Sequence, residues 1–199
     1  MDRNIVIMFM ECIYMKKIVL LVLSFFVINN VKAIELPKKT DHETVVIYLF
    51  RGKDCSHCHD ALTWFSDNLT RYEEYIEVRS YEVYQNPDNS ILASNVADKM
   101  GKVLDGIPYI VVGDSYDQVG FKVTDGEKII KAALKEYENE KYNDLVLETL
   151  AGMSGVHYDT LEEALELEGL KKGQGNAVVA TIVAGLMLLI GGFIFFAKE

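Results

Sequence analysis

Along this chain, short runs that are apolar throughout alternate with longer stretches whose apolar residues recur every three or four positions. Thr44 to Phe50 (TVVIYLF) is continuous in β-branched and aromatic residues, which predicts a strand buried on both faces. A short turn, Arg51 to Asp54, follows. Leu62, Phe65 and Leu69 are then spaced by three and four, predicting an amphipathic helix that opens at or near Cys55. A second strand is read in YIEVRSYEVYQN, ending at Asn86-Pro87. Capping residues and helical spacing at Ile91, Leu92, Val96 and Met100 predict a helix stopped by Gly101. GIPYIVVGD reads as a strand entered through Pro108, and SYDQVGFKV as its hairpin partner. Thr124 to Glu127 fits a capping box opening a helix that runs to about Tyr142. The predicted order is strand, helix, strand, helix, strand, strand, helix, an α/β domain with a central mixed sheet flanked by helices over residues 34–150.

The two ends of the chain have a different pattern. Lys16 and Lys17 precede an apolar run, Ile18 to Ile28, and Val31-Lys32-Ala33 places apolar and small side chains at −3 and −1 of a cleavage site. Residues 1–33 are therefore expected to be an N-terminal extension and secretory signal peptide, with Met15 as an alternative start. The run is too short to cross a bilayer, which takes about 20 residues. Ala177 to Ala197 (AVVATIVAGLMLLIGGFIFFA) is uncharged and apolar on every face, which predicts a C-terminal transmembrane helix. Residues 151–176 form an acidic connector, within which Asp159 to Glu168 can make a short helix that either docks on the domain or belongs to a solvated stalk. The expected location is the cell membrane, single-pass, with the domain extracytoplasmic. That orientation rests on the signal peptide, because Lys171 and Lys172 lie on the outer flank of the span.

Charge narrows the partners. With 30 acidic against 20 basic residues the formal charge is −10, and no stripe of Lys and Arg is present to neutralise phosphates, so a nucleic-acid partner is not expected. Of the 3 cysteines, Cys12 is lost with the leader, which leaves Cys55 and Cys58 to pair with each other or to bind something.

The motif Cys55-Ser56-His57-Cys58-His59 fits more than one chemistry. Cys-x-x-Cys-His attaches haem in c-type cytochromes, with His59 as the iron's ligand, but a buried strand running straight into the motif leaves no obvious pocket for a porphyrin. Two cysteines and two histidines suit Zn or Cu(I), yet closed sites draw ligands from separate segments, and only His42 and His157 remain elsewhere. A structural Cys-x-x-Cys is a further alternative. A dithiol at a helix N-terminus has a direct physical rationale. The macrodipole and unpaired N–H groups stabilise thiolate and lower the Cys pKa from about 8.5 toward roughly 3.5–7.5. Cys55, nearer solvent, is the attacking thiol and Cys58, one turn in, the resolving one. Ser56 and His57 tune the pair: a His57 that donates toward the Cys55 sulfur favours thiolate and makes the disulfide more oxidising. Asp54 is expected to cap the helix, and His59 and Asp60 to be solvated.

Cys55-Ser56-His57-Cys58 at the first strand-to-helix turn, with Gly106-Ile107-Pro108-Tyr109 opening the third strand, resembles the thioredoxin-fold family over about Glu43 to Tyr142. The resemblance implies a thioredoxin-like fold and a cis Pro108 facing the dithiol, with Ile107 offering its backbone to a substrate chain. It also implies thiol-disulfide exchange with cysteine-containing proteins, with no cofactor and no metal; the C-terminal anchor, apart from the resemblance, points to a membrane redox partner. The chain departs from the family at Leu49, where the family has a buried acid, and in Asp-Cys-Ser-His-Cys where thioredoxins have Trp-Cys-Gly-Pro-Cys.

The leader and span generate one prediction. N-terminal sequencing of the mature protein should start near Ile34, and the protein should stay with membranes through a high-salt wash. Retention of Lys16 and Lys17, or release by salt alone, would contradict it.

Overall fold

The computed structural model describes residues 34–38 and 43–171. The signal-peptide segment 1–33 and the span Ala177 to Ala197 lie outside them. Among the described residues no helix is long and apolar enough to cross a membrane. The fold below is that of the compact unit beginning at Leu36.

Its centre is β1, Val45–Arg51, buried at every residue. β2 (Ile76–Glu82) runs parallel to it, with Val45 opposite Ile76 and Arg51 opposite Glu82. β3 (Tyr109–Val112) pairs with the other edge of β1 in antiparallel register, Phe50 opposite Tyr109, and β4 (Tyr116–Val119) closes the hairpin. A two-residue strand β5, Asp159–Thr160, adds to β2 at Arg79 and Ser80. The result is a mixed five-stranded sheet in the order β4-β3-β1-β2-β5.

Helices cover both faces, which is why β1 reads as one apolar run. Val46, Tyr48 and Phe50 point to one side, into a core shared with Tyr81, Tyr109, Leu92, Val96 and Val146. By strand alternation Val45, Ile47 and Leu49 point to the other. α1 (Ser56–Asn68), α2 (Pro87–Lys99) and α3 (Gly126–Tyr137) each bury one stripe. Asn86 caps α2 by accepting from the N–H groups of Asp88 and Asn89, with Pro87 in the first turn. Gly101, at φ +74, follows the helix end in the left-handed conformation that suits glycine. Gly126 is required for space: a Cβ there would fall 2.2 Å from the Trp64 ring.

Two expectations change. α3 is not opened by a Thr124–Glu127 capping box. A 3-10 turn, Val123–Asp125, precedes it, and the Asp125 carboxylate accepts from the Lys122 N–H at 3.0 Å and from Gln118 Nε2 at 2.9 Å. The helix also stops at Tyr137 instead of about Tyr142, because Glu138 to Lys141 offers no apolar residue to continue its buried stripe. Tyr142 then packs beside Gly113.

Beyond α3 the chain adds structure. α4, Leu145–Leu150, is capped by Asp144, whose carboxylate also accepts from the Tyr48 hydroxyl at 2.7 Å. α5, Leu161–Leu167, is opened by a reciprocal Thr160–Glu163 capping box and buries Ala164 and Leu165. Of the two arrangements open to Asp159–Glu168, the structure has the docked one. Burying one leucine is worth about 2 kcal/mol, too little to hold such a segment alone. Asn89 supplies more: it donates to the carbonyls of Glu82 and His157 at 2.9 and 2.8 Å and accepts from the His157 N–H at 3.0 Å.

Ala164 is fully buried, so Ala164→Asp places an unpaired carboxylate on the buried face of α5. A cost of about 3 kcal/mol or more is expected, concentrated in the C-terminal segment. Limited proteolysis should cut the variant between Gly152 and Tyr158 much faster than the parent. Equal cleavage rates would show that the segment is not held by this burial.

Candidate functional site

The site forms where β1 ends. Gly52 lies against the Tyr84 ring, where a Cβ would come within 2.3 Å, and the next turn is organised by acids. Glu82 accepts from the N–H groups of Lys53, Tyr84 and Gln85 at 3.1, 2.9 and 2.7 Å. Asp54 does not cap α1. It sits at φ +58, the left-handed region that costs a non-glycine residue roughly 1 kcal/mol, and Cys55 takes the N-cap place instead. Its place just before Cys55 suggests a cap; the reversal of the chain needed between β1 and α1 decides otherwise.

Cys55 is half-buried and Cys58 fully buried, and the two are joined as a disulfide with Cα atoms 5.2 Å apart. The Cys58 N–H points at Cys55 Sγ at 3.3 Å, and the Cys55 carbonyl accepts from the N–H groups of Cys58 and His59, both at 3.0 Å. In the reduced state the same N–H and the helix N-terminus would face a Cys55 thiolate and stabilise it. Ser56 is exposed. His57 is 68 % exposed, with Nδ1 3.8 Å from Asp60 Oδ2.

The third strand returns to the same end of the sheet. Because β3 is antiparallel to β1, the residues before Tyr109 lie beside the end of β1. There the Ile107–Pro108 bond is cis, Pro108 is buried, and its carbonyl accepts from the Gly120 N–H at 2.7 Å. Ile107 is half-buried.

Two functional candidates were missed in the sequence. Arg51, 1 % exposed, is held on three sides: Nε donates to Ser80 Oγ at 2.8 Å, Nη2 to Asp159 Oδ2 at 2.8 Å, and Nη1 to Glu168 Oε1. The other oxygen of Glu168 accepts from the Asp54 N–H at 3.1 Å and meets His59 Nε2 at 2.8 Å. Burial works against the charged form of Glu168. The His59 bond, the Asp54 N–H and the Arg51 guanidinium outweigh it and hold the carboxyl below the usual range. His59 is therefore not a solvated first-turn residue as expected. Its side chain is 29 % exposed and bound to an acid more than a hundred positions away. A charge-assisted bond of this kind is worth about 1.5–3 kcal/mol, enough to offset the left-handed Asp54. Arg51, Lys53, Glu82, His157, Asp159 and Glu168 line a polar cleft of about 270 Å³ next to the turn.

Among the described residues no group of three or more His, Cys, Asp and Glu side chains is arranged to hold a metal ion. What the arrangement offers is a two-electron couple: a one-turn disulfide with one accessible and one buried sulfur. The chain matches no family model, no curated protein and no solved structure.

Arg51→Met leaves Asp159 and Glu168 without their buried cation, and should cost about 3–5 kcal/mol in urea unfolding. A loss under about 1 kcal/mol would mean that water already satisfies both acids.

Proposed function

We propose that this protein is a membrane-anchored, extracytoplasmic thiol-disulfide oxidoreductase with a thioredoxin-like fold, exchanging disulfides with cysteine-containing proteins. The observation that carries the reading is the asymmetry of the pair: Cys55 half-exposed at the α1 N-cap, and Cys58 bonded to it and fully buried one turn in. The sheet order and the cis Ile107–Pro108 bond beside that end of β1 support the fold assignment. The engagement of His59 by Glu168 favours a dithiol over a haem reading, in which that ring would be the iron's ligand. The anchored, exported location rests on the sequence of residues 1–33 and 177–197.

In the reducing direction the Cys55 thiolate attacks one sulfur of a substrate disulfide and expels the other as thiolate, which takes up a proton. Deprotonated Cys58 then attacks Cys55 Sγ and releases the second substrate sulfur as thiolate. Two electrons have passed to the substrate, and the protein is left as the Cys55–Cys58 disulfide. The oxidising direction is the reverse. Pro108 and Ile107 serve as the platform where a substrate backbone lies against the pair, in the manner of an added strand. Ser56 and His57 modulate the thiolate from the exposed side.

Cys58→Ala should accumulate mixed disulfides through Cys55 and abolish multiple-turnover reduction of insulin. Trapping by Cys55→Ala would reverse the two roles, and full turnover by either variant would overturn the reading.

A further inference from the structure

Glu168 is the last residue before the left-handed Gly169 that follows α5, and its side chain is 2 % exposed. The same carboxylate joins three pieces otherwise far apart in the chain. Oε1 meets Arg51 at the end of β1, and Oε2 receives the Asp54 N–H in the turn and the His59 ring on α1. Asp54 is the neighbour of Cys55, so the negative charge, 3.1 Å from the Asp54 nitrogen, is separated from the Cys55 Cα by that hydrogen bond and one residue of backbone, a further ~4 Å. The charged groups around it are Arg51, Glu82 and Asp159 from the sheet and Lys53, Asp54 and His59 from the turn and helix. Beyond Asp159 stands His157, with Nε2 3.9 Å from Oδ1. Arg51 faces both Asp159 and Glu168, so these three side chains together carry one negative charge in excess.

Building on the dithiol reading above, we propose that Glu168 is a positioning residue of the redox centre. Its carboxylate fixes the left-handed turn that presents Cys55, and its charge holds the Cys55 thiol less acidic than the helix N-terminus alone would make it. The carboxylate is delivered from beyond the sheet, by a segment docked on its edge. Removing the charge favours the thiolate, which stabilises the dithiol and makes the disulfide more oxidising.

The test uses Glu168→Gln in the full-length protein in detergent. Glutamine keeps the length and an oxygen to accept the Asp54 N–H, but not the charge. In the reduced protein, iodoacetamide modification of Cys55 is followed by mass spectrometry across pH. The expected result is a Cys55 titration lowered by about half a unit, seen as a roughly three-fold faster reaction on the acid side. The dithiol fraction at a fixed glutathione ratio should also increase. Unchanged titration and glutathione equilibrium would overturn the role of Glu168. Neither readout needs turnover of a protein substrate, so an inactive parent would count against the oxidoreductase reading alone. If Glu168→Gln does not fold, hydrogen exchange in the parent decides. The Asp54 N–H, in an exposed turn, should exchange at least about ten-fold slower than an unstructured amide. An unprotected Asp54 N–H would overturn the proposal.

Discussion

A guanidinium taken out of water at the end of the central strand must find its compensation in fixed partners, and this requirement organises the molecule. Arg51 is the largest of the fully buried side chains, and its bonds reach β2 through Ser80, β5 through Asp159, and the residue after α5 through Glu168. Neither Asp159 nor Glu168 could move away without separating a buried charge from its counter-charge. The last short strand and helix are thus bound to the sheet by electrostatic necessity as much as by the apolar contact of Ala164 and Leu165.

The same arrangement links fold to reactivity. The turn after β1 contains a non-glycine residue in the left-handed region, and such a conformation persists where its surroundings over-determine it. Here they do so from both sides, Glu82 gathering the N–H groups of Lys53, Tyr84 and Gln85, and Glu168 taking that of Asp54. Cys55 is placed by that turn and by the first N–H groups of α1 together. A second buried polar residue, Asn89, repeats the principle, pinning His157 through two hydrogen bonds and the end of β2 at Glu82 through a third.

How much of this the sequence reveals depends on the distance over which each signal acts. The continuous apolar run Thr44 to Phe50, the Asn86-Pro87 helix entry and the Cys55–Cys58 pair at a helix start are local, and the structure has each of them. Asp54 was misread because capping propensity cannot sense the reversal needed between strand and helix. Glu168 was illegible for a different reason: it is one of four glutamates in LEEALELEGL, and only the docked register of α5 turns it inward while Glu162, Glu163 and Glu166 stay exposed. Its contact with Arg51 spans 117 positions, and nothing in either segment's composition announces it. The reciprocal Thr160–Glu163 capping box seen in the structure is a local signal of where that helix begins, and it was missed in the sequence.

The tie between Glu168 and the turn before Cys55 also fixes where the chain leaves the domain: on the face that carries the sulfurs. From Glu168 to Ala177 a fully extended chain covers at most about 30 Å. With Ala177 to Ala197 spanning the bilayer as proposed, the sulfurs are leashed within a few nanometres of the lipid surface. Substrates that reach them would be gathered from a thin layer above the membrane, and an electron donor embedded in it would find them within reach.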